Sequence, residues 1–274
     1  MYEHLINKSN SVWLMEPARA ESLFSVLNNR ANSVESVIAI ESNTPFAQAN
    51  STPFNVENGV VNGEKVAYLQ IMGTLVPRTG SMRPYCGMFP TNSIIENLSQ
   101  WTEGVDKVIF HIGSGGGFGG GIREVAQMIN DLPMKTVAYV DDMCCSAAYW
   151  IASACNEIIA LPSATVGHIG SYIAVTKKTA VGRENSMYST TYIAKGSKKV
   201  FGNPETELSP EELSYFEEKV TASFEAFVSD VAQYRNLSKE SVIELESAYF
   251  LAGDVVGTLV DKLGTLQEVV NGSI

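Results

Sequence analysis

The sequence predicts an α/β domain built on a mostly parallel sheet flanked by helices. Three observations carry this. From residue 66 onward, short apolar runs alternate with amphipathic stretches, the pattern of strands joined by helices. Runs such as 105–112 and 136–140 are predominantly apolar, as strands covered on both faces are. Hydrophobic residues make up 45% of the 274, enough for the core of one large domain.

Residues 1–62 read as an N-terminal arm ahead of a 63–274 domain. Within the arm, 16–28 has helical periodicity. Residues 32–62 are rich in Ser, Asn, Thr and Pro and read as a linker with a short apolar stretch at 37–40. Residues 66–72 form a strand ending at Gly73. Residues 74–92, with Pro77, Pro84 and Pro90, read as one long loop, and loops of that length tend to be functional or flexible. A helix at 93–101, a strand at 105–112, a helix at 122–132 and a strand at 136–140 follow. A helix carrying Tyr149, Trp150 and Ile151 leads to a strand at 157–161. Residues 165–176 and 189–194 read as further strands. Ser209-Pro210-Glu211-Glu212 opens a long helix reaching 234, with cap, proline and acidic first turn in the expected places. Residues 239–248 are helical, and 253–260 and 266–270 close the chain. No internal repeat is visible.

Acidic residues outnumber basic ones by 30 to 19, a net charge of −11. Such a chain is a poor non-specific binder of nucleic acid, whose phosphates need Lys and Arg. No run approaches the ~20 apolar residues of a spanning helix, and 1–13 lacks the apolar core of a signal peptide. The expectation is a soluble, intracellular protein with no membrane or nucleic-acid partner. The four cysteines show no zinc spacing, and the adjacent Cys144 and Cys145 suit a disulfide badly. A reducing compartment fits them better, and no metal or cofactor is expected.

Two stretches carry candidate chemistry. In Asp141-Asp142-Met143-Cys144-Cys145-Ser146-Ala147-Ala148, a strand gives way to a helix that starts at Ser146. A helix N-terminus offers free N–H groups and a positive dipole end, which suits a hydroxyl that must support negative charge nearby. Serine at such a position also acts simply as a cap. The glycine run Gly113-Ser114-Gly115-Gly116-Gly117-Phe118-Gly119-Gly120-Gly121 lies between a strand and a helix. It contains a literal dinucleotide fingerprint at Gly115, Gly117 and Gly120, with Asp141 placed to meet a ribose. It serves equally as a pair of N–H groups for an oxyanion, or as a flexible turn.

A serine nucleophile needs a base. His4, His111 and His168 have no local acidic partner of the triad kind. A lysine serves if desolvation keeps it neutral, and Lys195, Lys198 and Lys199 cluster in one loop, where lysines are more often a solvated patch. Cys145 is a rival nucleophile, although an apolar neighbourhood makes such a cysteine inert.

Taken in this order, the residues resemble the signal-peptide-peptidase-A-like serine peptidases, and among them the phage prohead (capsid-assembly) proteases of the lambda protein C type. Residues 112–117 stand where that family has its Ser-Pro-Gly-Gly turn. Cys145-Ser146-Ala147-Ala148-Tyr149-Trp150-Ile151-Ala152 stands for Ala-Ser-Gly-Gly-Tyr-Tyr-Ile-Ala. Gly196-Ser197-Lys198-Lys199-Val200-Phe201-Gly202-Asn203-Pro204 stands for Gly-x-x-Lys-x-x-Gly-Asn-Pro. Gly73-Thr74-Leu75-Val76, Arg78, Pro84-Tyr85-x-Gly87-Met88 and Glu16-Pro17-Ala18 look like the phage branch. The resemblance spans about 66–270.

It implies a Clp-protease/crotonase-like fold and a Ser-Lys dyad without cofactor. Ser146 is the implied nucleophile, and Lys199, favoured over Lys198 by spacing, the general base. The N–H groups of Gly117 and Ala147 form the implied oxyanion hole. Implied partners are protein substrates (capsid, portal or scaffold proteins), cut during head maturation in the host cytoplasm, inside the assembling prohead. A homo-oligomeric ring or dome is implied too, and in some relatives neighbouring subunits complete the dyad. Gly115 departs from the family's proline, Ala147-Ala148 from its glycines and His168 from its serine. The competing readings are a cytosolic signal-peptide-peptidase-like enzyme that degrades peptides, a non-catalytic capsid-assembly or scaffold protein on the same fold, and a nucleotide binder.

Overall fold

The computed structural model describes residues 12–15, 56–78, 87–184 and 190–274. The readings at 16–28 and 37–40, His4, the Glu16-Pro17-Ala18 and Pro84-Tyr85 motifs and Cys86 lie outside them. Strand β1 (Val12–Met15) is followed by a hairpin of β2 (Val56–Val61) and β3 (Glu64–Met72), then by β4 (Thr74–Val76) and β5 (Met88–Pro90). Helix α1 (Asn92–Trp101) leads to β6 (Lys107–Gly113) and β7 (Gly116–Phe118), and α2 (Ile122–Asn130) to β8 (Lys135–Val140) and β9 (Met143–Cys145). Helix α3 (Ala147–Ser153) precedes β10 (Glu157–Ala160), β11 (Thr165–Gly167) and β12 (Tyr172–Ile173). After α4 (Ala180–Glu184) and a single 3₁₀ turn (Ser197–Val200) come the long α5 (Pro210–Arg235), α6 (Lys239–Ile243), β13 (Tyr249–Leu251), β14 (Lys262–Leu263) and α7 (Leu266–Asn271).

The main sheet runs β14-β10-β8-β6-β3-β2. Every pair in it is parallel except the β2–β3 hairpin. This is the α/β architecture the alternation predicts, and the apolar runs have the expected cause. Along β6, Val108, Phe110 and Ile112 face the large core under the helices, while Ile109 faces a smaller one closed by α7. A strand covered on both faces has no polar side to alternate with.

Helix α3 is the centre of the large core, with every residue buried. Trp150 stacks on Phe227 of α5 with ring centroids 4.5 Å apart. Its indole N–H donates to Asp230, which also takes two hydrogen bonds from Arg123 of α2. Tyr149, wholly buried, donates its hydroxyl to the carbonyl of Leu259. Three elements are thus keyed to one short helix, which fixes where that helix begins.

Several expectations are corrected at the level of short elements. The predicted 74–92 loop contains β4 and β5, which pair in parallel. The 165–176 strand is two short strands interrupted at 168–171. Residues 190–194 form no strand, and Ile193 is 94% exposed. The 239–248 helix stops at Ile243. Both β1 and β2 fall within the first 62 residues yet take places in sheets.

Candidate active site

Two small sheets converge on Ser146. One runs β12-β1-β7-β4-β5, the other β13-β11-β9. The link between them is Ser114. Its N–H donates to the carbonyl of Met143 and its carbonyl accepts from Cys145 N–H. Its hydroxyl donates to the Gly73 carbonyl and accepts from Gly116 N–H. The glycine turn is thereby fastened to the strand that ends at Ser146. On the other side, Ser146 N–H donates to the carbonyl of Gly167 at 2.8 Å.

Ser146 sits between β9 and α3 with φ 56° and ψ −125°. This is backbone space that side chains rarely adopt, and strain of this kind gathers at functional sites. The capping role open to this serine is not realised, because its side chain makes no cap bond. The hydroxyl is buried and has no hydrogen-bond partner among the described residues. A buried hydroxyl without a partner costs roughly 1–3 kcal/mol. Ala147 follows as the first residue of α3, where helix geometry leaves its N–H without an intrahelical acceptor.

Gly117 lies mid-strand in β7, in register with Leu75 of β4 and Leu14 of β1. A Cβ placed there would come within 2.0 Å of the Leu75 carbonyl oxygen, so only glycine fits this approach. The structure therefore brings Ser146, Ala147 and the glycine turn together, with α3 packed on β7. It also removes the dinucleotide reading. Gly116 and Gly117 lie in a strand between two others, and Asp141 Oδ2 lies 2.9 Å from His111 Nε2, an ion-pair distance without hydrogen-bond alignment. Tyr68 completes that cluster through a hydrogen bond to His111 Nδ1.

Among the described residues no hydrogen bond joins the Ser146 hydroxyl to Lys199. Lys199 is exposed on the 3₁₀ turn, as is Lys198, and Lys195 is exposed just ahead of it. Lys198 Nζ lies over the Tyr215 ring, 5.1 Å from its centroid. The loop carrying these lysines is nevertheless well held. Glu212 of α5 accepts from Gly202 N–H and Ser209 N–H, Lys177 donates to the Asn203 carbonyl, and Lys178 N–H donates to Pro204. The backbone N–H of Ser209, then burial and the N–H of Gly202, act on the Glu212 carboxyl. Their net effect holds it below the usual carboxylate range.

His168 follows Gly167 directly, at φ 55°, its N–H donating to the Ala248 carbonyl and its ring tilted against Tyr249. Cys145 is buried, with its Sγ on the Thr165 carbonyl, and burial pushes the Cys144 thiol up. Neither cysteine has the electropositive, accessible setting a thiolate nucleophile needs. Sequence reasoning gave Ser114 no role, since its only signal is its place in the turn. No helix among the described residues is long and apolar enough to cross a membrane. Nor does any group of three or more His, Cys, Asp or Glu among them have the spacing to hold a metal ion.

The model for peptidase family S49 matches residues 129–273, more than half the chain and the whole stretch from Ser146 to Lys199. The chain belongs to peptidase family S49. Among curated relatives, this S49 chain is 31% identical over 218 residues to the capsid assembly protease C of Escherichia phage lambda. That match covers 78% of this chain and 48% of the lambda protein. It is also 31% identical over 221 residues to the head-tail preconnector protein GP5 of Enterobacteria phage P21, covering 78% and 42%. The chain thus spans about half the length of the curated relatives it matches. Among solved structures, a point mutant of ClpP1 from Listeria monocytogenes overlays with a TM-score of 0.47 at 12% identity, covering 74% of this chain and 94% of that one.

Proposed function

We propose that this S49 chain is a serine endopeptidase in which Ser146 is the nucleophile and Lys199 the general base. The observation that carries the reading is the setting of Ser146: a strained strand-to-helix junction, a buried hydroxyl with no partner, and a glycine turn fastened alongside. Neutral Lys199 takes the hydroxyl proton as Ser146 attacks a peptide carbonyl. The Gly117 and Ala147 N–H groups hold the oxyanion. Lys199 returns the proton to the leaving amine, and water then clears the acyl-enzyme.

A lysine works as a base only when desolvated, and Lys199 is exposed in the single chain. The working state therefore buries it, and a second copy of the chain is the cover we infer. Tyr192 and Ile193, just ahead of the lysines, are 47% and 94% exposed, an apolar edge suited to such a contact. The dyad is then completed between subunits of a homo-oligomer. Kinship with the lambda and P21 proteins supports a role in head maturation, with capsid, portal or scaffold proteins as substrates, inside the assembling prohead in the host cytoplasm.

The test is to incubate the full chain, Ser146→Ala, Lys199→Ala and Lys198→Ala with candidate capsid and portal proteins and read fragments by intact mass. Cutting by the full chain and Lys198→Ala, and by neither of the others, is expected. Cutting by Lys199→Ala with loss in Lys198→Ala reassigns the base. No cutting in any assembly state leaves the fold without this activity.

A further inference from the structure

The sheet beside Ser146 contains a strand from far away in the chain. Strand β1 lies between β7 and β12 and is antiparallel to both. Trp13, Leu14 and Met15 pair with Phe118, Gly117 and Gly116, while Val12 and Trp13 pair with Ile173 and Tyr172. Without β1, its two neighbours would face each other across a slot one strand wide, roughly 9–10 Å at the usual strand spacing.

Both walls of that slot lead to the nucleophile. β7 runs back through Gly115 to Ser114, which is bonded to Cys145, and β12 runs back to Gly167, which is bonded to Ser146. Direction matters as well. β7 leads away from the turn, so β1, antiparallel to it, leads toward the turn, and its last residue, Met15, is the one opposite Gly116. A peptide that paired with β7 as β1 does would approach Ser146 in the same sense, with its chain N-terminal to the scissile bond lying along β7.

We infer that Val12–Met15 occupies the acyl-side substrate cleft as an intramolecular pseudosubstrate, so that an extended peptide enters only by displacing β1. The cleft recognises its occupant chiefly through main-chain N–H and C=O groups on both edges, the strand-addition mode of peptide binding. Helix α5 packs against both β1 and β12, which confines the occupant to the sheet plane. The inference rests on the peptidase reading above for the words acyl side, but the occupancy itself is testable without turnover.

The test uses the full chain in the Ser146→Ala background, with and without Leu14→Pro. Proline removes an N–H and does not fit a strand paired on both edges. The probe is a fluorescein-labelled peptide with the sequence of residues 10–16, read by anisotropy. The expected result is at least ~10-fold tighter binding by the Leu14→Pro chain, because apparent affinity scales with the fraction of open clefts. Equal affinity in the two chains, or no binding to either, overturns the inference. Hydrogen exchange on the Ser146→Ala chain alone removes any dependence on the proline variant. Amides of 12–15 are expected to be protected, and saturating peptide is expected to release them; unchanged protection at saturation overturns the inference. In chains with Ser146 intact, Leu14→Pro should raise cleavage of unfolded casein by a similar factor. Tighter peptide binding with no cleavage in either chain upholds the occupancy and overturns the peptidase reading.

Discussion

At the scale of single residues, the site is defined by positions where ordinary side chains do not fit. Gly117 is the sharpest case, since a methyl group there meets backbone rather than a movable side chain. Gly117→Ala must push β7 away from β4 and with it one proposed oxyanion donor. Loss of one such donor costs about 10²–10³ in kcat, and a fall of that order in peptide hydrolysis by a still-folded protein is the expected outcome. Ser146 poses the opposite case. Its φ of 56° and unbonded hydroxyl both disfavour serine. Ser146→Gly relieves both, so a gain of about 1 kcal/mol in unfolding free energy is expected alongside loss of activity. A calorimetric midpoint below that of the unmodified chain would contradict it.

At the scale of elements, Glu212 joins two structures with different tasks. One carboxylate oxygen closes the capping box of α5 and the other holds Gly202, three residues beyond Lys199. Glu212→Ala gives up a cap worth about 1 kcal/mol and removes the hydrogen bond that Glu212 accepts from the buried Gly202 N–H. A loss of roughly 1–3 kcal/mol is expected, with faster amide exchange across 197–204. Because the folded carboxyl is held low, its stabilisation is complete above the unfolded value of about 4.3 and is lost as pH falls through the folded one. Unfolding free energy measured against pH should therefore decline less steeply below about pH 4.3 in Glu212→Ala than in the unmodified chain.

Elements of this length were legible in the sequence for physical reasons. The start of α5 is written in Ser209-Pro210-Glu211-Glu212, and the buried strands β6 and β8 in their predominantly apolar runs. Strands of three residues, such as β4, β5 and β9, are too short to show a period. β7 holds two glycines and so has almost no side-chain pattern to read. The 189–194 segment looks like a strand because Tyr192 and Ile193 favour one, but those side chains are exposed rather than packed on a sheet. At the site, Ser146 and the glycine turn are close in sequence order to their partners in space. The lysine is not, since nothing local in its loop buries it.

At the scale of the whole molecule, a chain whose proposed nucleophile is buried and whose proposed base is exposed would be incomplete alone. Activity is expected to follow the oligomer. Fractions separated by size should show cleavage only where copies are associated, and dilution below the dissociation constant of the oligomer should abolish it more steeply than in proportion to concentration. A fully active monomer would rule out a dyad completed between subunits. Mixing Ser146→Ala with Lys199→Ala chains should restore part of the activity that each lacks, which no arrangement within one subunit permits.

The placement of β1 also bears on how the molecule comes into being. Its partners in β7 and β12 lie about a hundred and a hundred and sixty positions downstream. At 5–20 residues per second, the ribosome needs roughly 8–30 s after making Met15 before the second wall exists. This early-synthesised strand is therefore among the last to be seated, and it joins through contacts of very long sequence separation, the slow kind to form. During that interval the nascent chain carries its own ligand unbound beside a half-built receptor, and a neighbour's β1 competes for the same place. Crowded polysomes would then favour exchange of this strand between copies, linking assembly to the density of synthesis.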